Sequence, residues 1–179
     1  MVRPRPYHLG VPAREPLPFD PIAEAREHWL RAGWGEAADG MALVTSVMRA
    51  HQILLRRVDA VLAEFGITFA RFEVLMLLTF SRRGRLPLGK LGQRLQVHAA
   101  SVTNAIDRLE RDGLVRREPH PTDGRTTLAA ITPRGRALAR AAVVELNDRV
   151  FGRTGLDATE LRAAIGSLAH LRERAGDFA

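Results

Sequence analysis

The sequence predicts a mainly α-helical chain carrying one small β-hairpin. Three observations predict it. Outside the centre, apolar residues recur at spacings of three and four, the repeat of a helix with one buried face. Within residues 88–132, two short helical patterns are followed by two strand-like runs, Leu114–Glu118 and Thr127–Thr132, around a polar turn with Pro119, Pro121, Asp123, Gly124 and Arg125. The positive charge gathers in the same place. Residues 82–136 hold twelve Arg or Lys and five Asp or Glu, which equals the +7 net charge of the whole 179-residue chain.

The elements follow in order. Residues 1–19 are rich in Pro and Arg and are expected to form an extended arm. Asp20-Pro21 starts a first helix, because Asp accepts from open amides and Pro fits the first turn. Ile22, Ala25, Trp29 and Leu30 form its apolar stripe, to about Ala32. Gly33, Gly35 and Gly40 are expected to bracket a loose connection. A long amphipathic helix should then run from Met41 to Phe65, ended by Gly66. Thr68 is placed to cap the next helix, with Phe72, Leu75, Met76 and Leu78 inward. Ser81 to Arg85 form a basic turn. After the hairpin, Thr132-Pro133 starts a helix to about Phe151, and Asp157 caps a last one with Leu161, Ile165, Leu168 and Leu171 on one side.

Helix, turn, helix and hairpin in that order make a winged helix-turn-helix domain, here set between N- and C-terminal dimerisation helices. The predicted division is an arm at 1–19, pocket and dimerisation helices at 20–66, a DNA-binding domain at 67–132 and dimerisation helices at 133–179. A helix fits the major groove, and an Arg on a protruding loop reaches a neighbouring groove or phosphate. A basic patch confined to the same segment is an electrostatic footprint for phosphate, so the expected partner is double-stranded DNA. The end helices have little of their own to cover. Their apolar faces suit the same helices of a second copy, which places two recognition helices about one DNA turn apart on a near-palindromic site.

Composition excludes several classes. The chain has no cysteine, which rules out disulfides and thiolate metal sites. No apolar run approaches the ~20 residues needed to span a membrane. The N-terminal stretch lacks an apolar signal core, so no export signal is read and the expected compartment is the cytoplasm. The six His residues show no pair at ligand spacing. No phosphate-binding glycine loop or nucleophile elbow is present, and neither catalysis nor a cofactor or metal is expected. The rival class is a winged-helix architectural or protein-interaction module without strong sequence choice.

On the recognition helix, Val102, Ile106 and Leu109 share the core face. The opposite face offers Ala100, Ser101, Thr103 and Asn104: Ala meets a thymine methyl, Ser and Thr serve bases or phosphates, and Asn pairs with the adenine edge. Arg108 is placed to contact phosphate or to pair with a wing carboxylate. Arg125, at the wing tip beside Gly124, suits a narrow, electronegative minor groove. Asp123 is expected to accept hydrogen bonds within the wing or pair with an Arg, fixing the direction of Arg125. Arg83, Arg85, Lys90 and Arg94 have two readings, phosphate contact or plain surface charge. His98 is a weak cap, so the helix start is expected to lean on Ser101 or on DNA.

The run Val102 to Val115 resembles the recognition helix and first wing strand of MarR-family transcriptional regulators. Pro121-Thr122-Asp123-Gly124-Arg125 is similar to that family's Asp-x-Arg wing, and Ile131 to Arg136 to the start of its post-wing helix. Thr68 through Leu78 matches the preceding helix, and the resemblance covers roughly residues 41–172. It implies a homodimeric, ligand-responsive regulator, often a repressor, with a pocket between the DNA-binding lobe and the dimer helices. The N-terminal extension with Trp29 resembles the urate-responsive subgroup. Of that subgroup's response set, Trp29 and Arg117 match, Glu73 replaces the usual Asp, and Ala105 stands where an Arg would be. Without that Arg the acid loses its partner, which points to a different small anionic or aromatic effector. Trp29 reads equally as a core or dimer anchor. Phe72, Met76 and His51 read as pocket lining or ordinary core, and Arg49 and Arg71 as receivers of an acidic ligand only on the family's pocket location.

Overall fold

The computed structural model describes residues 16–178; most of the arm expected over 1–19 lies outside them. Helix α1 (Pro21–Arg31) starts as expected, with Asp20 Oδ1 accepting from the Ile22 amide at 2.9 Å. It folds back on α2 (Gly35–Ala63). The connection is shorter than its three glycines suggest: Gly35 already lies in α2, and so does Gly40. A lone glycine costs a helix about 1 kcal/mol. That is small beside the packing of Ala38, wholly buried between the two glycines, and the edge-to-face contact of Trp29 on Trp34 at 5.4 Å. α2 ends two residues before Phe65, and Gly66, at φ +68°, turns the chain into α3 (Phe69–Phe80).

The basic turn after α3 leads into a strand that composition concealed. β1 (Arg85–Pro87) is three residues long and holds an Arg and a Pro. It pairs antiparallel with β3 (Thr127–Ile131), Arg85 opposite Ala130. On its other edge β3 pairs with β2 (Val115–Pro119), Val115 opposite Ile131. The sheet order is therefore β1-β3-β2. Its central strand is buried from Leu128 to Ile131, which explains a continuous Leu-Ala-Ala-Ile run in place of alternation.

Between β1 and β2 lie α4 (Leu88–Leu95) and α5 (Ala99–Arg111). Val102, Ile106 and Leu109 of α5 are buried, the expected face. They meet Leu62, Leu75, Leu78, Leu91 and Leu146 in one core. Each such side chain removed from water contributes roughly 1.5–3 kcal/mol. Val74 also joins this core, whereas Met76 is half-buried at its margin.

Helix α6 (Pro133–Leu146) does not run unchanged to Phe151: its last turn, Asn147–Phe151, widens to π geometry. Arg57 of α2 donates to the carbonyl of Arg149 within that turn (3.3 Å) and to that of Arg153 just past it (2.8 Å), and Arg149 pairs with Glu64 at 2.7 Å. One side chain from another helix thus satisfies carbonyls in the widened turn and just beyond it. α7 (Ala158–Arg174) opens with a capping box in which Asp157 and Glu160 exchange hydrogen bonds with each other's backbone.

Neither α1 nor α7 buries a residue within the single chain. Ile165, Leu168 and Leu171 are 59%, 44% and 47% exposed, so the side of α7 predicted to be covered lies bare. Leu43, Val44, Val47 and Met48 of α2 are bare as well. No helix among the described residues is long and apolar enough to cross a membrane.

Candidate nucleic-acid interface

The turn between α4 and α5 passes through Gln96, which holds a left-handed conformation at φ 52° and donates from Nε2 to the Asp177 carbonyl at 2.7 Å. A side chain here costs about 1 kcal/mol relative to glycine. His98 then caps α5. Its Nδ1 accepts from the Ala100 amide at 3.4 Å, a long bond available only to an unprotonated nitrogen. The helix start therefore rests on His98 itself, with Ser101 contributing only its amide, which donates to the His98 carbonyl at 2.9 Å. Replacing His98 with serine, a short strong cap, should raise stability by about 1 kcal/mol. A matched or lowered urea midpoint would show that the imidazole does more than cap.

The face of α5 opposite the core is open. Ala100, Ser101, Thr103, Asn104 and Arg108 are all exposed. Thr103 spends its hydroxyl hydrogen on the Ala99 carbonyl at 3.1 Å and so offers an oxygen and a methyl outward. Arg108 does not pair with a wing carboxylate: its Nε donates to Asn104 Oδ1 at 3.2 Å, one turn back on the same helix. The wing carboxylate goes elsewhere. Glu118 lies between Arg85 (3.0 Å) and Arg116 (2.6 Å), and hydrogen bonds from those two guanidiniums lower its pKa from the usual glutamate value. Arg85, half-buried on β1, is thus committed to the sheet, whereas Lys90, Arg83 and Arg94 are exposed and unpaired among the described residues.

Arg117 clasps the wing to the recognition helix. Its guanidinium pairs with both Asp107 and Glu110, and its amide donates to Glu110 at 2.9 Å. Aspartate and glutamate three apart share one face of α5, so a single Arg meets both. The spacing of the two carboxylates is visible in the chain, but the register of β2 against α5 that makes the clasp is not.

At the wing tip, Asp123 accepts from the Arg125 amide (3.1 Å) and the Thr126 hydroxyl (2.6 Å). The Thr126 bond, then the Arg125 amide, lowers the carboxyl below the usual aspartate range. A depressed pKa means the tip's support is full above the ordinary aspartate range and is lost as pH falls through the lowered value. The Arg125 amide resonance should accordingly show its Asp123-linked step below the ordinary aspartate range. A midpoint at or above the ordinary range would contradict the bonded tip. Arg125 itself is exposed, and its guanidinium makes no hydrogen bond or ion pair among the described residues.

The residues expected around an effector are dispersed. Phe72 is buried and stacks near Phe69, ring centres 6.3 Å apart. Glu73 is half-buried on α3, and desolvation raises its pKa above the usual glutamate value. Ala105, half-buried, packs against the core. His51 is exposed on α2, Trp29 is half-buried against Trp34, and Arg117 is held by its two carboxylates. Arg49 lines a groove of about 330 Å³ between α1 and α2, with Ile22, Ala25, Met48 and Gln52 among its neighbours.

An open recognition face, a pinned wing carrying an unpaired Arg, and a net +7 over residues 82–136 define a winged helix-turn-helix DNA-binding protein. The model of the MarR family matches residues 67–127. The chain is 51% identical to Sco5413, a MarR family transcriptional regulator from Streptomyces coelicolor, over 78% of this chain and 97% of that one, with a TM-score of 0.72. The chain belongs to the MarR family. It is also similar to Sco3205 of the same organism, solved in complex with DNA, at 26% identity over 77% of this chain and 88% of that one, TM-score 0.67. The Bacillus subtilis regulator MhqR is 31% identical over 95 residues, 53% of this chain and 64% of its own length. The chain thus spans just under two thirds of that relative.

Proposed function

We propose that this chain is a homodimeric, ligand-responsive transcriptional regulator, a repressor that binds a near-palindromic operator and acts in the cytoplasm, where that DNA lies. The observation that carries the reading is the meeting of the bare polar face of α5 with the unpaired Arg125 at the wing tip. The reading assigns Ala100, Ser101, Thr103 and Asn104 to the major groove, Arg125 to the minor groove, and Lys90 with the neighbouring cations to phosphate. Asp123 acts through the shape of the tip. Arg85 and Arg108 reach DNA only if they exchange or share their present partners.

A second copy is supported by the apolar faces left bare on α2 and α7. Exposed apolar surface on this scale marks an association site, and residues 20–66 and 133–179 supply it. A small anionic or aromatic effector between lobe and dimer helices would act by favouring one spacing of the two recognition helices. Trp29, Arg49, His51, Phe72, Glu73 and Arg117 are its proposed contacts, dispersed over several elements of the single chain, so that no one small molecule meets them all without a rearrangement or a second copy.

Selection of bound DNA from a random duplex pool at near-physiological salt tests the reading. A two-fold symmetric site with half-sites about one turn apart is expected. Salt-sensitive binding with no enriched site would replace it with an architectural module. Sedimentation equilibrium of the free protein should give twice the chain mass.

A further inference from the structure

Asn104 and Arg108 lie one turn apart on the exposed face of α5, and Arg108 Nε donates to Asn104 Oδ1 at 3.2 Å. A guanidinium carries donors only, so the atom facing it is the carboxamide oxygen. The contact therefore settles which way the amide is turned. The Nδ2 group of Asn104 and both Nη groups of Arg108 make no hydrogen bond among the described residues. The pair presents the groove with a row of donors, its one acceptor partly occupied by a cation.

This orientation bears on base choice. Adenine offers one acceptor, N7, beside the N6 amino donor; guanine offers two acceptors, N7 and O6, and no donor on that edge. An Asn reading adenine uses its oxygen to accept from N6. Here a free lone pair remains on Oδ1, but an amino group arriving there would lie against the Arg108 donors. Guanine meets the same row with two acceptors, N7 and O6, and no donor to oppose it. Resting on the operator-binding reading above, we infer that Asn104 and Arg108 act as one reading unit that selects guanine over adenine, with Arg108 fixing the amide orientation.

Pool selection with wild type and Asn104→Ala locates the base pair whose preference relaxes. In wild type that pair is G·C in either orientation, favoured about 10-fold or more over A·T. Arg108→Leu removes the donors and frees Oδ1, and it moves the same position toward A·T while the other positions keep their preferences. Far-ultraviolet circular dichroism verifies that both variants fold. An A·T pair at the located position, a G·C preference that survives Arg108→Leu, or no position that relaxes in Asn104→Ala each overturns the inference while leaving the operator-binding reading in place. A wild-type pool with no enriched site overturns both.

Discussion

Gly135→Ala is expected to cost about 3 kcal/mol or more, a large share of the roughly 5–15 kcal/mol that keeps a domain folded. The reason is space, not backbone conformation. A Cβ at this position would meet the Leu114 carbonyl oxygen at 2.1 Å, its carbon at 2.9 Å and Ile131 Cγ1 at 3.1 Å. The first two are backbone atoms and cannot rotate away. Nor can the helix simply withdraw. Thr132 donates from its amide to the Leu114 carbonyl (3.1 Å) and from its hydroxyl to Gly113 (2.9 Å), while accepting from the Gly135 amide at 3.0 Å. Moving α6 outward breaks that cap and opens the sheet edge at Val115. Gly89→Ala is the control, since nothing lies within 4 Å of a Cβ there, and it should be neutral or slightly stabilising. Urea unfolding reads both. A loss under about 1 kcal/mol for Gly135→Ala would mean that the start of α6 yields more readily than its bonds imply.

Arg125→Ala should weaken DNA binding at all sequences, by about 10-fold or more, and reduce the slope of log affinity against log salt by about 1. The side chain projects from a tip held by Asp123 and Thr126 and has no competing partner among the described residues. It therefore forfeits no internal ion pair on meeting DNA, unlike Arg116 and Arg117. If its site is a narrow minor groove, the loss is greatest where A-tracts flank the operator. Fluorescence anisotropy across a salt series measures both quantities. Unchanged affinity and slope would remove the wing tip from the interface.

These two sites differ in how much of them could be seen in the chain. Arg125 was legible: Pro, Asp and Gly around an Arg state a turn with an exposed cation, and the Asp123 bonds followed from the same local logic. Gly135 was visible only as one letter of a motif. Its role depends on β2 and α6 passing within contact distance, which no local pattern encodes. The same holds for β1, whose three residues have no strand signature and become a strand only because β3 leaves an edge beside them. Arg108 was legible as an exposed cation but not as the partner of Asn104. Of its two expected partners, phosphate or a wing carboxylate, the second is taken: Arg85 and Arg116 already hold Glu118.

Short-range chemistry in the chain was sufficient for the class of fold, the core face of α5, the caps at Asp20 and Asp157, and the turn that carries Arg125. Each depends on residues within one or two turns of one another, where periodicity and side-chain hydrogen bonding act without help from the rest of the molecule. The start of α2 at Gly35, the strand at Arg85, the π-helical turn at Asn147 and the clasp of Arg117 on α5 required the folded chain. In each of these, burial or a hydrogen bond from a distant segment outweighs a local preference of about 1 kcal/mol.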